Sequence, residues 1–387
     1  MSTKIKSNSV KKRNIHFDLE PFIFLTIFLA IFIPLGNVMG GSNLFKTLMA
    51  TAHDLLLNTV FFIMAVAVLT GALGALFSEF GVVYLLNKIL KPLMKPLYKL
   101  PGAASLGILT TYLSDNPAIL SLSKDKEFIK YFERWQVPLL CNMGTAFGMG
   151  LIVTTFMIAQ SSALGENLVL PVLIGNIGAI VGSVISVRIF SMFTKKFYGE
   201  EGEFENTTVS WRKVREGNAG SRFLDALLEG GKTGVDLGLS IIPGVLIIST
   251  FVMIVTYGPS DPNIGYQGLA YEGVPVLPWV FGKISGVLEF LFGFHSAKLI
   301  AFPLTSLGST GAAMALIPSF IKEGILTGND VAVFTALGMT WSGYLSTHIA
   351  MMDTLGARKL ASKAILSHTI AGLCAGIITH YMYVLFL

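Results

Sequence analysis

The chain has 387 residues, 53% of them hydrophobic and only 13% charged, with a net charge of +5. Soluble domains average about 25% charged residues. This composition excludes a protein with a mostly wet surface and points to an all-α integral membrane protein. The two cysteines, Cys141 and Cys374, lie in apolar runs and give no disulfide framework. No nucleotide-binding glycine loop, catalytic carboxylate pair, Ser-His-Asp set or zinc spacing is present, so an enzyme is not expected, nor a cofactor or metal site.

Residues 1–21 form a basic tail with Lys4, Lys6, Lys11, Lys12 and Arg13. The tail is too short for a nucleic-acid-binding domain and shows no signal-peptide cleavage pattern. About 20 apolar residues suffice to cross a bilayer. Residues 22–39 read as an extra N-terminal span, followed by a loop to residue 51. Residues 52–77 read as the next span. From 82 to 100, apolar residues alternate with Lys88, Lys91, Lys95 and Lys99, the pattern of an amphipathic surface helix, broken up by Pro92, Pro96 and Pro101. Residues 103–120 are apolar but carry Ser114, Asp115, Asn116 and Pro117 in the middle, which predicts a broken hairpin rather than a span. Spans follow at 137–158 and 168–193, and then a hydrophilic linker over 195–233.

The second part repeats this order. A span is expected at 235–256, a short mixed segment at 278–292, and an apolar stretch at 295–319 broken around Ser309, Thr310 and Gly311. Spans at 331–352 and 364–387 close the chain. The total is about seven spans, two surface helices and two re-entrant hairpins.

Basic residues mark the cytoplasmic side. They concentrate in the N-terminal tail, in 88–134, in 195–232 and in 357–363, and alternation between sides works only if both broken segments enter and leave on one side. The N-terminus is then cytoplasmic, the C-terminus extracytoplasmic, and the membrane a bacterial inner one. Each half, 52–194 and 234–387, crosses three times, so the second is inverted relative to the first, as in many secondary transporters. An offset of 195 residues pairs Leu109-Thr110 with Leu304-Thr305, Ser114 with Ser309, Ala118 with Ala313, Thr145 with Thr340 and Gly148 with Gly343.

Irregular backbone at membrane depth is tolerated where protein buries it or it lines a cavity, and there it binds ions and solutes. Four places qualify: the tip with Ser114, Asp115 and Asn116; the tip with Ser309 and Thr310; the glycine-dense stretch 142–150 with Asn142 and Thr145; and its counterpart 338–344 with Thr340 and Ser342. Asp115 is the sharpest of these, because an intramembrane carboxylate is costly and usually functional. It offers a Na⁺ or proton site or a solute acceptor, and Asp-Asn-Pro is also ordinary turn chemistry. His348 and His380 read as structural residues. Cys141 beside Met143 and Met149 invites a soft-metal reading, against the plainer one of a small buried hydrophobe.

The stretch from Thr110 to Ala118, then Gln136-Val137-Pro138, then Asn142 to Gly150, resembles the nucleoside-recognition (Gate) domain membrane proteins, and more narrowly their bacterial YjiH-type members. The resemblance covers most of the chain from residue 52 onward. It implies a site between two hairpin tips and two unwound helices, with Na⁺ or H⁺ coupling. Carried onto this chain, that site comprises Ser114, Asp115, Asn116, Asn142, Thr145, Ser309, Thr310, Thr340 and Ser342. One departure is that the second tip, Gly308-Ser309-Thr310-Gly311, has no carboxylate, whereas concentrative nucleoside transporters use acidic and amide groups at both tips. The expected function is secondary transport of a small polar solute, with nucleosides or related metabolites as the leading class. The partners are that solute and membrane lipid, and a homo-oligomer is left open. The same domain name also covers ferrous-iron permeases and spore maturation proteins, which keeps a metal-ion permease and a non-transporting membrane assembly protein as alternatives.

Overall fold

A computed structural model describes residues 19–115, 117–124, 126–199 and 214–387. Asn116 of the expected first tip lies outside the described residues. The first helices are α1 (Glu20–Met39), α2 (Gly41–Asp54) and α3 (Phe61–Glu79), with a π-helical turn, Leu55–Val60, joining the last two. The loop expected before residue 52 is therefore helical, and one helix runs from Gly41 to Glu79. Next come α4 (Val82–Tyr98), α5 (Ala104–Leu113), α6 (Pro117–Lys124), α7 (Lys126–Ile129), α8 (Leu139–Phe147), α9 (Gly150–Ala159), α10 (Ser161–Leu164) and α11 (Val169–Tyr198).

Helix α12 (Ala219–Gly244) continues through a second π turn, Val245–Ser249, into α13 (Thr250–Ile254). It begins well inside the stretch expected as linker. The remainder is α14 (Val276–Phe281), α15 (Ser285–Phe292), α16 (Ala301–Ser306), α17 (Thr310–Met314), α18 (Ile317–Lys322), α19 (Gly328–Thr340), α20 (Tyr344–Thr354) and α21 (Ala361–Phe386).

Among the described residues, six helices are long and apolar enough to cross a membrane: Glu20–Met39, Gly41–Glu79, Leu139–Leu164, Val169–Tyr198, Ala219–Ile254 and Arg358–Phe386. The span expected over 331–352 is instead two shorter helices, α19 and α20, meeting at a break. The segment expected over 278–292 belongs to a pair, Val276–Phe292 and Ala297–Ser306, bent by 76°. The protein is an all-α integral membrane protein.

The amphipathic surface helix forms as α4, but without interruption. Pro92 and Pro96 stand inside it. They are four residues apart, so they share one face, and both are exposed, as is Lys88. The carbonyls that a helical proline strands, those of Lys88 and Pro92, thus belong to residues on the exposed side. The opposite face buries Val83, Asn87, Met94 and Tyr98. Ser105 of α5 donates to the Asn87 carboxamide, and Tyr98 Oη lies 2.5 Å from Ser183 Oγ of α11.

Helices with the same place in the two halves pack against each other antiparallel. Gly71 of α3 abuts Gly230 of α12, Ala67 abuts Gly234, and Met64 abuts Gly238; a Cβ on any of these three glycines of α12 would overlap α3. Small residues allow such approach where lipid supplies no hydrophobic drive for association. In the same way α11 meets α21 through Gly178 with Thr379 and Gly182 with Ala375. As one number rises the other falls, so the halves are inverted. The two π turns consequently lie at the same end of the α3–α12 pair, in contact with each other. Burial separates centre from rim: 83% of the apolar window in Leu139–Leu164 is buried, against 11% in α1.

Candidate functional site

Both hairpins turn where the sequence breaks its apolar run. At the first tip, Ser114 leaves helical geometry and its hydroxyl donates to Thr110 O at 2.7 Å. Asp115 follows, and its carbonyl accepts from Ala118 N at 2.9 Å as α6 begins. At the second tip, Ser309 is extended and caps α17, its hydroxyl accepting from Ala312 N at 3.2 Å. Thr310 Oγ1 donates to Gly338 O of α19 at 2.9 Å.

Both glycine-dense spans unwind as expected. Between α8 and α9, Met149 adopts a left-handed conformation, φ 57°, which is uncommon for a residue with a side chain. Between α19 and α20, Gly343 does the same at φ 61°. Tyr112 of the first hairpin packs where a Cβ on Gly150 would sit. Its hydroxyl reaches Thr154 Oγ1 (3.1 Å) and Asn176 Oδ1 (3.0 Å).

These irregular segments converge on one cleft. A cavity of about 340 Å³ is lined by Asp115 and Met149 from the first half, by Gly308, Ser309, Thr310 and Gly311 at the second tip, and by Ser342 and Gly343 at the second break. An adjoining cavity of about 570 Å³ shares Asp115, Leu237 and Ser240 with it and adds Ser114, Thr110, Thr233 and Asp236. Small-molecule sites are typically about 300–1,000 Å³, mostly apolar, with a few placed polar groups. The walls here fit that description. Among the described residues they carry two carboxylates, Asp115 and Asp236, and no Lys, Arg or His.

Five of the expected site residues therefore line the cleft: Ser114, Asp115, Ser309, Thr310 and Ser342. Three do not. Asn142, Thr145 and Thr340 are fully buried away from it. Asn142 spends its amide on Ser186 Oγ (2.9 Å) and Ala364 O (3.1 Å), and its carboxamide oxygen faces His348 Nε2 at 3.0 Å. Thr145 donates to Cys141 O at 2.9 Å. Helical packing turns these residues toward α11, α20 and α21, which spacing along one helix does not reveal. Asp236 is a lining residue that the sequence reading does not single out. It carries a signal, a carboxylate at the start of an apolar run, but the hydrophilic stretch before it masks the fact that α12 is already under way. Cys141 is also fully buried, its thiol directed at His348 O (3.8 Å).

No protein-family model matches the chain, and no curated protein does. Solved structures do. CNTnw, a concentrative nucleoside transporter, in an inward-facing substrate-bound state is 14% identical with a TM-score of 0.53, over 93% of this chain and 85% of that one. A doubly substituted CNTnw variant in an outward-facing state is 15% identical with a TM-score of 0.52, over 95% and 85%. A singly substituted variant in an intermediate state is 14% identical with a TM-score of 0.54, over 93% and 85%. At this level of identity the likeness establishes the fold, which this chain shares with CNTnw over nearly its whole length.

Proposed function

We propose that the protein is a secondary transporter of a small polar solute, with nucleosides or related metabolites the leading class. It would act from an inner membrane with a cytoplasmic N-terminus. The observation that carries this reading is the convergence of both hairpin tips and both helix breaks on one cleft. Discontinuous helices at a repeat interface supply unpaired N–H and C=O groups for ions and solutes. Asp115, with Asp236 in the same wall, gives the coupling cation, Na⁺ or H⁺, its counter-charge. Ser114, Ser309, Thr310 and Ser342 offer hydroxyls to orient the solute. The likeness to CNTnw, solved in inward-facing, outward-facing and intermediate states, supports alternating access about this cleft. The metal-permease alternative loses its motive, because Cys141 lies outside the cleft lining and is fully buried.

The test is ligand-dependent thermal stabilisation of the detergent-purified protein, followed by uptake into proteoliposomes. The panel holds nucleosides, nucleobases, amino acids and divalent metals, each with and without Na⁺ and across a pH gradient. A ligand at about 100 times its Kd stabilises by about 2.7 kcal/mol. Cation-dependent stabilisation and uptake of one solute class is expected. Asp115→Asn is expected to cut that uptake by more than about tenfold, because it removes the charge that this reading assigns to the coupling cation, while leaving the melting profile cooperative. Full uptake in Asp115→Asn would remove the residue from the mechanism. Stabilisation by a divalent metal alone would replace solute transport with metal permeation.

A further inference from the structure

A chain of polar side chains buried outside the cleft lining links the two halves. It runs through His348, Asn142, Ser186 and His368, all fully buried, and its hydrogen-bond direction can be worked out. Ala364 O can only accept, so the Asn142 atom 3.1 Å from it is the amide nitrogen. The Asn142 oxygen must then accept, which makes His348 Nε2, 3.0 Å away, the protonated nitrogen. At the other end His368 Nε2 lies 2.5 Å from Thr340 O and must donate to it. A neutral imidazole carries one N–H, so His368 Nδ1 accepts. It does so from the Ser186 hydroxyl at 2.8 Å, which itself accepts from the Asn142 amide at 2.9 Å. Every bond points the same way, from His348 to the Thr340 carbonyl, and bonds aligned in this manner reinforce one another.

The terminus of the chain gives it a use. Thr340 is the last residue of α19, and carbonyls at a helix C-terminus lack an intrahelical partner. His368 supplies one. The next residues are Trp341, Ser342 and Gly343, and the last two line the cleft. Trp341 is held to the same helix, its Nε1 donating to His368 O at 3.3 Å and its ring filling the space beside Gly372. We propose that His368 is a positioning residue for the Ser342–Gly343 wall of the cleft, with Ser186 and Asn142 as the links that orient it. His348 and His368 come from the second half, Asn142 and Ser186 from the first. The first half therefore sets the geometry of the second half's helix break. The importance of this wall rests on the reading of the cleft as the solute site; the positioning itself does not.

The test reads the wall directly and needs no solute. Ser342→Cys is introduced into a Cys374→Ala background, with buried Cys141 retained, and its labelling by a water-soluble maleimide is timed. Ser240→Cys, on the facing α12 wall, is the control. His368→Leu is expected to speed labelling at 342 by about tenfold, the population change from losing one such hydrogen bond, and to leave labelling at 240 unchanged. His368→Gln can donate to Thr340 O and accept from Ser186, and is expected to restore the slow rate. Ser186→Ala, which removes one oxygen and is the gentler variant if His368→Leu does not fold, is expected to shift position 342 in the same direction. An unchanged rate at 342, or equal acceleration at 342 and 240, overturns the proposal. A positive labelling result beside a negative solute panel would keep the positioning role and discard the transport reading, and the reverse pair would do the opposite.

Discussion

The two hairpins occupy equivalent places in the two halves but are built differently. The first tip presents a carboxylate, Asp115, and its neighbour Ser114 bonds locally to Thr110 O. The second tip is uncharged and reaches outward. Thr310 donates to Gly338 O of α19, Ser249 of the π turn donates to Ala312 O at 2.9 Å, and Leu345 N, just past the helix break, donates to Leu307 O at 3.1 Å. The helix breaks differ in the same sense. Tyr112 secures the first from one side, with Thr154 and Asn176 behind it, whereas the second is secured by a chain of four side chains drawn from both halves. The first tip thus brings charge to the cleft, whereas the second tip and the second helix break hold the cleft's shape.

The sharpest way to break that comparison is to remove one anchor from each helix break and compare the losses. Asn142→Leu strands His348 Nε2–H and removes an amide donor from Ser186 Oγ, which keeps its own bond to His368, and from Ala364 O within α21. Unsatisfied buried groups cost about 1–3 kcal/mol each, so a loss of about 3 kcal/mol or more is expected in thermal or denaturant unfolding in detergent. Tyr112→Phe removes one hydroxyl, shared between Thr154 and Asn176, and is expected to cost about 1 kcal/mol. Equal losses would mean that the second helix break is not the better anchored. The tips provide a smaller version of the same experiment. Thr310→Val deletes a buried bond between hairpin and scaffold, for about 1 kcal/mol. Ser114→Ala deletes a hydroxyl that bonds back within its own helix, a contact that contributes little, and is expected to stay within about 0.5 kcal/mol. If Ser114→Ala proves the costlier change, the first tip is the structural one and the division of labour is reversed.

Much of this asymmetry is legible in the sequence, and the reasons for the rest are physical. Asp115 beside Asn116-Pro117, and Gly308-Ser309-Thr310-Gly311, interrupt apolar runs that have no other reason to stop, so both tips can be placed. Gly148 and Gly343, paired at the 195-residue offset, fall at both helix breaks, because the repeat preserves the positions where the backbone must leave helical geometry. Pro92 and Pro96 mislead, since α4 carries both prolines on its exposed face and continues through them. The polar chain is illegible for a different reason. Asn142 meets Ala364 and Ser186 meets His368 across about half the chain length, and each residue alone is an ordinary polar group in a span. Only the antiparallel packing of α11 on α21 brings them together. His368 gives no signal of its own, and His348 reads as structural while its partners stay hidden.

The halves differ once more in the connection from the first span to the surface helix. In the first half it is Phe80 and Gly81 alone. In the second it is residues 255–275, folded around the carboxylate of Glu272. That group is fully buried and accepts from the backbone N–H groups of Ser260, Gln267, Gly268 and Leu269 at 2.8–3.3 Å. Burial pushes its pKa up, but the four N–H donors outweigh burial and hold it below the ordinary value of 4.5. The adjacent Tyr271, at φ 68°, fastens the loop to the first half: its N–H donates to Thr51 Oγ1 at 2.9 Å and its hydroxyl to Asp54. A depressed carboxylate stabilises the folded state above its unfolded pKa, and that contribution is lost as pH falls through the folded value. The wild type should therefore melt above Glu272→Gln at pH 7, with the gap closing as pH drops below 4.5. Trp279, on α14 just after the loop, gives a local fluorescence reading of the same transition. A gap that stays constant through that range would show that the loop depends on the shape of the side chain rather than its charge, and the long connection would then resemble its short counterpart in owing nothing to pH.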